Sequence, residues 1–348
     1  WRLNINMSDF KINSIATKQG QHGPVIAGVS TVNSTGCMKI PSGPTDFRGG
    51  RGRAVFLRGY VPSTNNTIDF VNIASTGNAT DFGDSVGSYV QFAAAGSATR
   101  GIIAGANTPA GESYYYTFSS GGGVNDFGNQ TAIRRGCGAC NDSTRAVFGG
   151  GRDNPTSPYP FYNVIDFFTF STTGDANDFG DLTLKTRQVA GCSSPTRGLF
   201  AGGYDPAVNN VIGFITIQST GNAQDFGDLT VARSSFGGGS NATRGLFASG
   251  FANPTNYNVI DFITIATQGN ATDFGDTLQT GVHNTGTACS QTRALFAGGY
   301  VSPTPSTNII SFATIATTGD AADFGDLTVA GSVGNDGAAS DVNGGLGE

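Results

Sequence analysis

Residues 225–272 read DFGDLTVARSSFGGGSNATRGLFASGFANPTNYNVIDFITIATQGNAT, and residue 273 opens the same phrase again with DFGD. The triplet Asp-Phe-Gly begins at Asp81, Asp126, Asp178, Asp225, Asp273 and Asp323. A second phrase, Arg followed by a small residue and an apolar pair, begins at Arg53, Arg100, Arg145, Arg197, Arg244 and Arg293. The two alternate strictly. From each Asp-Phe-Gly to the next marker arginine is 19 residues four times running and then 20, whereas the return distance wanders between 26 and 33. One half of the unit is geometrically fixed and the other carries a variable loop, which is the signature of a repeat architecture.

Within the quoted unit, Leu229–Ala232 reads as a short strand and Gly237–Gly239 as a turn entering a second. Gly245–Ala248 reads as a third strand, ended by Gly250, and Asn258–Ala266 as a fourth, rich in the β-branched and aromatic residues that suit a pleated surface. Thr267–Thr272 makes a polar turn. No segment sustains a 3.6-residue period. Four strands in a unit of 45–52 residues match one blade of a β-propeller. The last of them is apolar on both faces (Val259, Ile260, Phe262, Ile263, Ile265), as a sheet sandwiched between neighbouring sheets requires.

The expected fold is therefore all-β: a six-bladed propeller of four-stranded antiparallel blades over residues 46–348. Its repeats lie near 53–99, 100–144, 145–196, 197–243, 244–292 and 293–348. The ends suggest circular closure. Before Arg53 the matching half-unit is missing, because Asp46-Phe47 lies only seven residues upstream; after Asp323, DFGDLTVAGS aligns without gaps on DFGDLTVARS at Asp225. Counting 19 onward from Asp323 reaches Val342, so the C-terminal tail is expected to complete the first blade and remove its exposed edge. The competing reading gives that strand to Lys39–Arg51. Residues 1–45 stand outside the repeat as an N-terminal extension, in which Met7 is a plausible start. Its apolar stretches Pro24–Val29 and Met38–Ile40 suit docking to a partner.

Composition narrows the function classes. Of 348 residues 53 are glycine, 25 are phenylalanine and 13% are charged, with no three-residue glycine period; collagen and disorder are both excluded. No apolar run approaches the roughly 18–20 residues that span a bilayer, so no membrane insertion is expected. A net charge of −6 argues against nucleic acid, whose binding depends on releasing counterions with Lys and Arg.

Three resemblances follow from quoted residues. The doublets Gly149-Gly150, Gly202-Gly203 and Gly298-Gly299 resemble kelch-type propeller repeats, although the late tryptophan of such blades is missing, Trp1 being the sole tryptophan. NATDFGD at Asn270 is faintly similar to the Asp-box turn of sialidase propellers. Phe10–Thr31, FKINSIATKQGQHGPVIAGVST, together with TRGLFAGGY and DFGDLT, resembles the glycine-rich repeat proteins in virions of T4-like phages that infect marine cyanobacteria. That resemblance implies a virion structural protein, made in the host cytoplasm, that decorates a capsid or sits on a tail or fibre appendage. Its implied partners are other virion or assembly proteins.

Asp-Phe-Gly invites a kinase reading, but six copies are not one active site and no HRD or VAIK phrase accompanies them. The expectation is a turn whose Phe plugs the space between blades while its Gly takes an unusual backbone angle. The carboxylates around Asp320 and Asp323–Asp326 have calcium's oxygen chemistry, yet the Asp126 copy ends in Asn129 and one turn offers few ligands. No cofactor is expected. Instead the six marker Asp residues are expected either to cap turn amides or to pair with the six marker Arg residues, one structural ion pair per blade. Cys137-Gly-Ala-Cys140 is half a zinc site without a second half, and Cys140, Cys192 and Cys289 fall just before marker arginines as small buried residues of one inner strand. The sequons at Asn78 and Asn241 are turn chemistry. His22 and His283 give no copper-oxidase ligand set.

A residue found once per blade is architectural, so function is expected where blades differ. The variable loop reads NTPAGESYYYTF in the second unit and RDNPTSPYPFYNV in the third, placing Tyr114, Tyr115, Tyr116, Tyr159, Phe161 and Tyr162 as loop aromatics on neighbouring blades. Such rings suit sugar stacking or a protein contact. The expected function is a non-enzymatic virion structural and binding module presenting propeller loops for protein or host-surface contact. A carbohydrate-binding, lectin-like propeller with surface glycans as partners is the alternative. A glycosidase needs two carboxylates at a set separation, and Glu112 and Glu348 are the only glutamates.

Overall fold

The structure, a computed structural model, describes residues 30–31, 38–39, 52–59, 66–87, 91–106, 111–153, 159–301, 306–334 and 337–342. The chain divides into two compact units, Trp1–Asp46 and Phe47–Glu348. In the first, Ser30–Thr31 pairs antiparallel with Met38–Lys39. The rest of the N-terminal extension, and with it the expected docking stretch Pro24–Val29, lies outside the described residues.

The second unit has no helix among its described residues and forms six four-stranded antiparallel sheets, a six-bladed β-propeller. The quoted unit shows the plan. Gly237–Ser240 is the inner strand, Arg244–Ala248 the second, Val259–Thr264 the third and Thr272–Asp276 the outer. Inner strands of successive blades touch in sequence until the sixth meets the first. The sequence repeat is thus one strand out of phase with the fold, because a repeat begun at a marker arginine ends on the inner strand of the following blade.

Closure uses the C-terminal tail. Ala338–Ser340 pairs with Arg53–Leu57 as the inner strand of blade 1. Asp341 fastens the join, its carboxylate accepting from Arg53 N at 2.8 Å while its own N–H donates to Arg53 O at 3.1 Å.

Three local readings are corrected. Gly237–Gly239 is not a turn but the inner strand, and Leu229–Ala232 is a linker rather than a strand. Inner strands such as AAAG at Ala93, GACN at Gly138 and AGCS at Ala190 are built from small residues because six of them crowd one axis. A Cβ on Gly191 would stand 1.9 Å from Ala139 O, and one on Gly238 2.3 Å from Gly191 O. Packing, not strand propensity, sets that composition. The axial space they enclose is about 30 Å³, enough for a water or two. Cys140, Cys192 and Cys289 are buried on these strands.

The third correction concerns Asp-Phe-Gly, which is the outer strand and not a turn. Asp273 opposes Asp261 and Gly275 opposes Ile260, leaving Phe274 as the extra residue of a β-bulge. The bulge sends the Phe into the seam between blades, where all six copies are buried: Phe82, Phe127, Phe179, Phe226, Phe274 and Phe324. The glycine is needed twice over. Gly227 has φ +148°, and a Cβ there would lie 2.4 Å from the carbonyl oxygen of Gly269 in the next blade's turn. The two backbones come that close because Gly269 N donates to Phe226 O at 2.9 Å and Ala271 N to Asp228 O at 2.7 Å.

Candidate functional site

The propeller has two ends of different character. At the turn end lie the first-to-second and third-to-outer hairpin turns; at the linker end lie the second-to-third loops and the linkers joining one blade to the next.

The turn end is the same all round. Each marker arginine stacks on an aromatic ring of its own third strand, with guanidinium carbon to ring centre 4.5–5.1 Å for Phe70, Tyr115, Phe167, Phe214, Phe262 and Phe312. Each of those rings meets the Asp-Phe-Gly phenylalanine edge-on at 5.8–6.1 Å. The same arginine donates from Nη1 to a carbonyl just past the third strand of the following blade, at 2.5–3.1 Å. The expected ion pairs between Arg53, Arg100, Arg145, Arg197, Arg244, Arg293 and Asp81, Asp126, Asp178, Asp225, Asp273, Asp323 are therefore not how this end is held. Those aspartates are exposed, on strands whose burial alternates around the buried Phe. Cation–π stacking plus a carbonyl acceptor leaves the charge at the solvent edge, where a buried pair would have to be stripped of water.

Ion pairs do occur, at the linker end and in alternate blades. Arg58–Asp69 (2.8 Å), Arg134–Asp166 (2.5 Å) and Arg233–Asp261 (2.9 Å) are fully buried. Each aspartate also accepts two hydrogen bonds from a threonine of the preceding blade's linker: Thr328, Thr131 and Thr230. In the even blades Tyr114, Gly213 and Ser311 take the aspartate's place, and the facing linker positions are Val86, Thr183 and Leu278. The ring alternates.

The six sequence-selected aromatics separate into two groups. Tyr114, Tyr115 and Tyr116 are not on a loop; they lie within the third strand of blade 2, Glu112–Thr117. Tyr115 is that blade's Arg-stacked ring. Tyr116 is fully buried, edge-on to Phe82 and Phe118 at 5.7 and 5.2 Å, in the space Gly101 leaves open. Tyr116 belongs to the core and the other two pack against core residues, because Tyr114, Tyr115 and Tyr116 occupy the Asp, Phe and following apolar positions of the repeat's third strand.

Tyr159, Phe161 and Tyr162 do lie on a second-to-third loop at the linker end, and four residues not selected from sequence join them. The linker arginine Arg135 is the cross-strand partner of Arg152, and Arg187 bridges to Tyr204 in blade 4. Arg152 stacks on Tyr159 at 5.1 Å; Arg187 stacks on Tyr204 at 5.1 Å and lies 5.9 Å from Phe161. Phe161 and Tyr204 are themselves 6.2 Å apart. Tyr159 is 39% exposed. Among the described residues no carboxylate forms an ion pair with Arg135, Arg152 or Arg187, and the Nε atom of each is buried without a hydrogen-bond partner. Burial, then the neighbouring charge of Arg152, pulls the Arg187 guanidinium down to about 10 and shifts Arg135 in the same direction. Desolvation, with the nearby Asp153 carboxylate, pushes the Tyr162 phenol up.

No protein-family model matches the chain, and no curated protein is significantly similar to it. The site therefore has to be read from its own chemistry.

In the next two blades the positions equivalent to Arg187 and Tyr204 hold Ser234 with Phe251, then His283 with Tyr300. Around this face the repeat is kept in backbone and varied in side chain. Exposed aliphatic residues occur on the same linkers, Val86 at 62%, Leu278 at 47% and Leu184 at 43%. Among the described residues no three His, Cys, Asp or Glu side chains converge on a point, and the buried third-strand carboxylates Asp69, Asp166 and Asp261 are held by Arg and Thr.

Proposed function

We propose that this chain is a non-enzymatic recognition module, a propeller that serves as a structural and attachment component of a virion and meets its partner through the linker end. The observation that carries the reading is the Arg135–Arg152–Arg187 cluster with its rings, in a chain of net charge −6 where, among the described residues, the fully buried arginines Arg58, Arg134 and Arg233 are each paired with an aspartate. A rigid scaffold with variation confined to one face is the usual arrangement of binding proteins. The virion placement is supported by the resemblance of Phe10–Thr31 and the TRGLFAGGY and DFGDLT phrases to virion repeat proteins. Immunogold electron microscopy of particles purified from the source cells tests it: gold on the outer surface is expected, and particles without label refute the virion reading. A chromogenic glycoside panel should show no turnover; hydrolysis abolished by one aspartate substitution would replace the module with an enzyme.

A further inference from the structure

We propose that the Arg135–Arg152–Arg187 cluster is a binding site for an acidic polysaccharide, one whose sugar units carry carboxylates. This rests on the recognition-module reading and names its ligand.

The cluster is electrostatically incomplete. Arg135 and Arg152 are directly opposite each other on paired two-residue strands, an arrangement of like charges that disfavours the fold. Arg187, one blade over, is close enough for both to weaken its hold on a proton. A protein with six excess negative charges has many carboxylates, yet among the described residues none forms an ion pair with these arginines, and Asp153, next to Arg152 in the chain, lies opposite Arg134 in the strand pairing. A counter-anion from outside would relieve the repulsion.

The rings explain why these arginines remain available. Tyr159 and Tyr204 take guanidinium faces by stacking. Stacking occupies the flat face of the ion and leaves its N–H edge free, and that edge is the fork that matches a carboxylate in two parallel hydrogen bonds. The planes are held without being neutralised.

The positions favour a linear polyanion over a peptide. Arg135 lies opposite Arg152, Arg152 opposite Phe161, and Arg187 from the next linker is 5.9 Å from the Phe161 ring, so the cations extend across two blades, as charges repeating along a chain would require. A peptide held by strand addition would need a free strand edge, and one held by side-chain anchors would need pockets; an acidic peptide held by the arginines alone is the rival that poly-glutamate tests. The short strands here are already paired, Arg135 to Arg152 and Arg187 to Tyr204. The neighbouring pocket lined by Leu182, Thr186 and Asn209 has a volume of about 20 Å³, too small for a side-chain anchor. The exposed Tyr159 ring offers a surface for a sugar's C–H face.

The test is a titration of the full chain with polygalacturonate oligomers at low and physiological salt, with dextran, dextran sulfate and poly-glutamate in parallel. Polygalacturonate should bind and dextran should not, and salt should weaken the binding. The R152Q/R187Q double variant should lose affinity by about 10- to 100-fold for each arginine whose charged hydrogen bonds are removed. R187K keeps the charge without the fork and should lose most of that affinity while keeping a single cooperative unfolding transition well above the titration temperature, which separates recognition from damage to the fold. Failure of polygalacturonate to bind, or binding unchanged in both variants, overturns the proposal. Equal or tighter binding of poly-glutamate overturns the saccharide class, and tighter binding of dextran sulfate overturns the carboxylate assignment. None of these failures touches the surface-label result, which tests the module reading separately.

Discussion

Arg293 Nη1 lies 3.1 Å from the carbonyl oxygen of Ile73, a hydrogen bond between residues 220 apart in sequence that spans the seam where the sixth blade meets the first. The equivalent bond from Arg197 to Ile265 joins blades that are neighbours in the chain. One contact type therefore holds covalent and non-covalent seams alike. Arg197→Ala removes a ring stack and two carbonyl hydrogen bonds, since Ala266 O is also within 3.0 Å. Its expected cost is about 2–3 kcal/mol by urea unfolding, from charge-assisted hydrogen bonds of about 1.5–3 kcal/mol. Arg197→Lys should recover less than half of that, because an ammonium cannot stack and reach both carbonyls.

Removing residues 337–348 takes away the inner strand of blade 1 and leaves Arg53–Leu57 as an unpaired edge. The truncated chain is expected to elute as dimers or larger species on size-exclusion chromatography and to lose its single cooperative unfolding transition. A synthetic peptide of residues 337–348 added in trans should restore the monomer; a monomeric, cooperative truncation would show that closure is dispensable.

The buried pair Arg134–Asp166 gives a third expectation. Asp166→Asn leaves a buried guanidinium without its counter-charge, and its cost should approach the about 3–5 kcal/mol of a broken buried pair. The double change Arg134→Met with Asp166→Ser, the residue blade 6 uses at this position, should recover most of it. Differential scanning calorimetry of the two variants decides the point: equal destabilisation would mean that the pair contributes nothing beyond its packing volume.

These outcomes follow from features that the sequence displays unevenly. The blade count and the closure are readable because Arg and Asp-Phe-Gly do the same work six times, so the copies reinforce one another; which strand begins a blade is not, since the markers fix the period and leave the phase open. The bulge at Phe274 is not readable, since one extra residue leaves no mark on periodicity. Gly237–Gly239 is misleading because axial crowding, a property of six assembled blades, selects the residues that elsewhere signal a turn. Tyr114–Tyr116 are misread for the opposite reason, as three tyrosines filling the Asp, Phe and apolar positions of an ordinary third strand. The arginine cluster is scattered over positions 135, 152 and 187, yet a signal for it exists. Arg135 and Arg187 each fall nine residues after an Asp-Phe-Gly aspartate, and Arg152 and Tyr204 each fall seven after a marker arginine. Aligning copies by those offsets brings the cluster together on paper.

His283 supplies a pH expectation. Its ring lies between Phe251 and Tyr300, at 5.3 and 5.2 Å, with Nδ1 3.1 Å from Asn256 Oδ1, and burial lowers its proton affinity. The folded chain then binds this proton less readily than the unfolded chain. Stability from the neutral ring is complete above the ordinary histidine value of about 6.5 and is lost as pH falls from there toward the lower folded value. The urea midpoint should drop between pH 7.5 and pH 5, and the drop should be smaller in His283→Phe. An identical drop in the variant would assign the acid sensitivity to other groups.

The alternation of the buried aspartates has a consequence for how such a wheel can change size. Asp69, Asp166 and Asp261 each require a threonine on the spoke before them. Excising the second or the sixth spoke would set Asp166 against Val86 or Asp69 against Leu278, neither of which can offer a hydroxyl, whereas loss of the fourth would leave Asp261 facing Thr183. Adding or dropping adjacent spokes two at a time preserves every handshake wherever the cut falls, whereas a single-spoke change does so only at some positions.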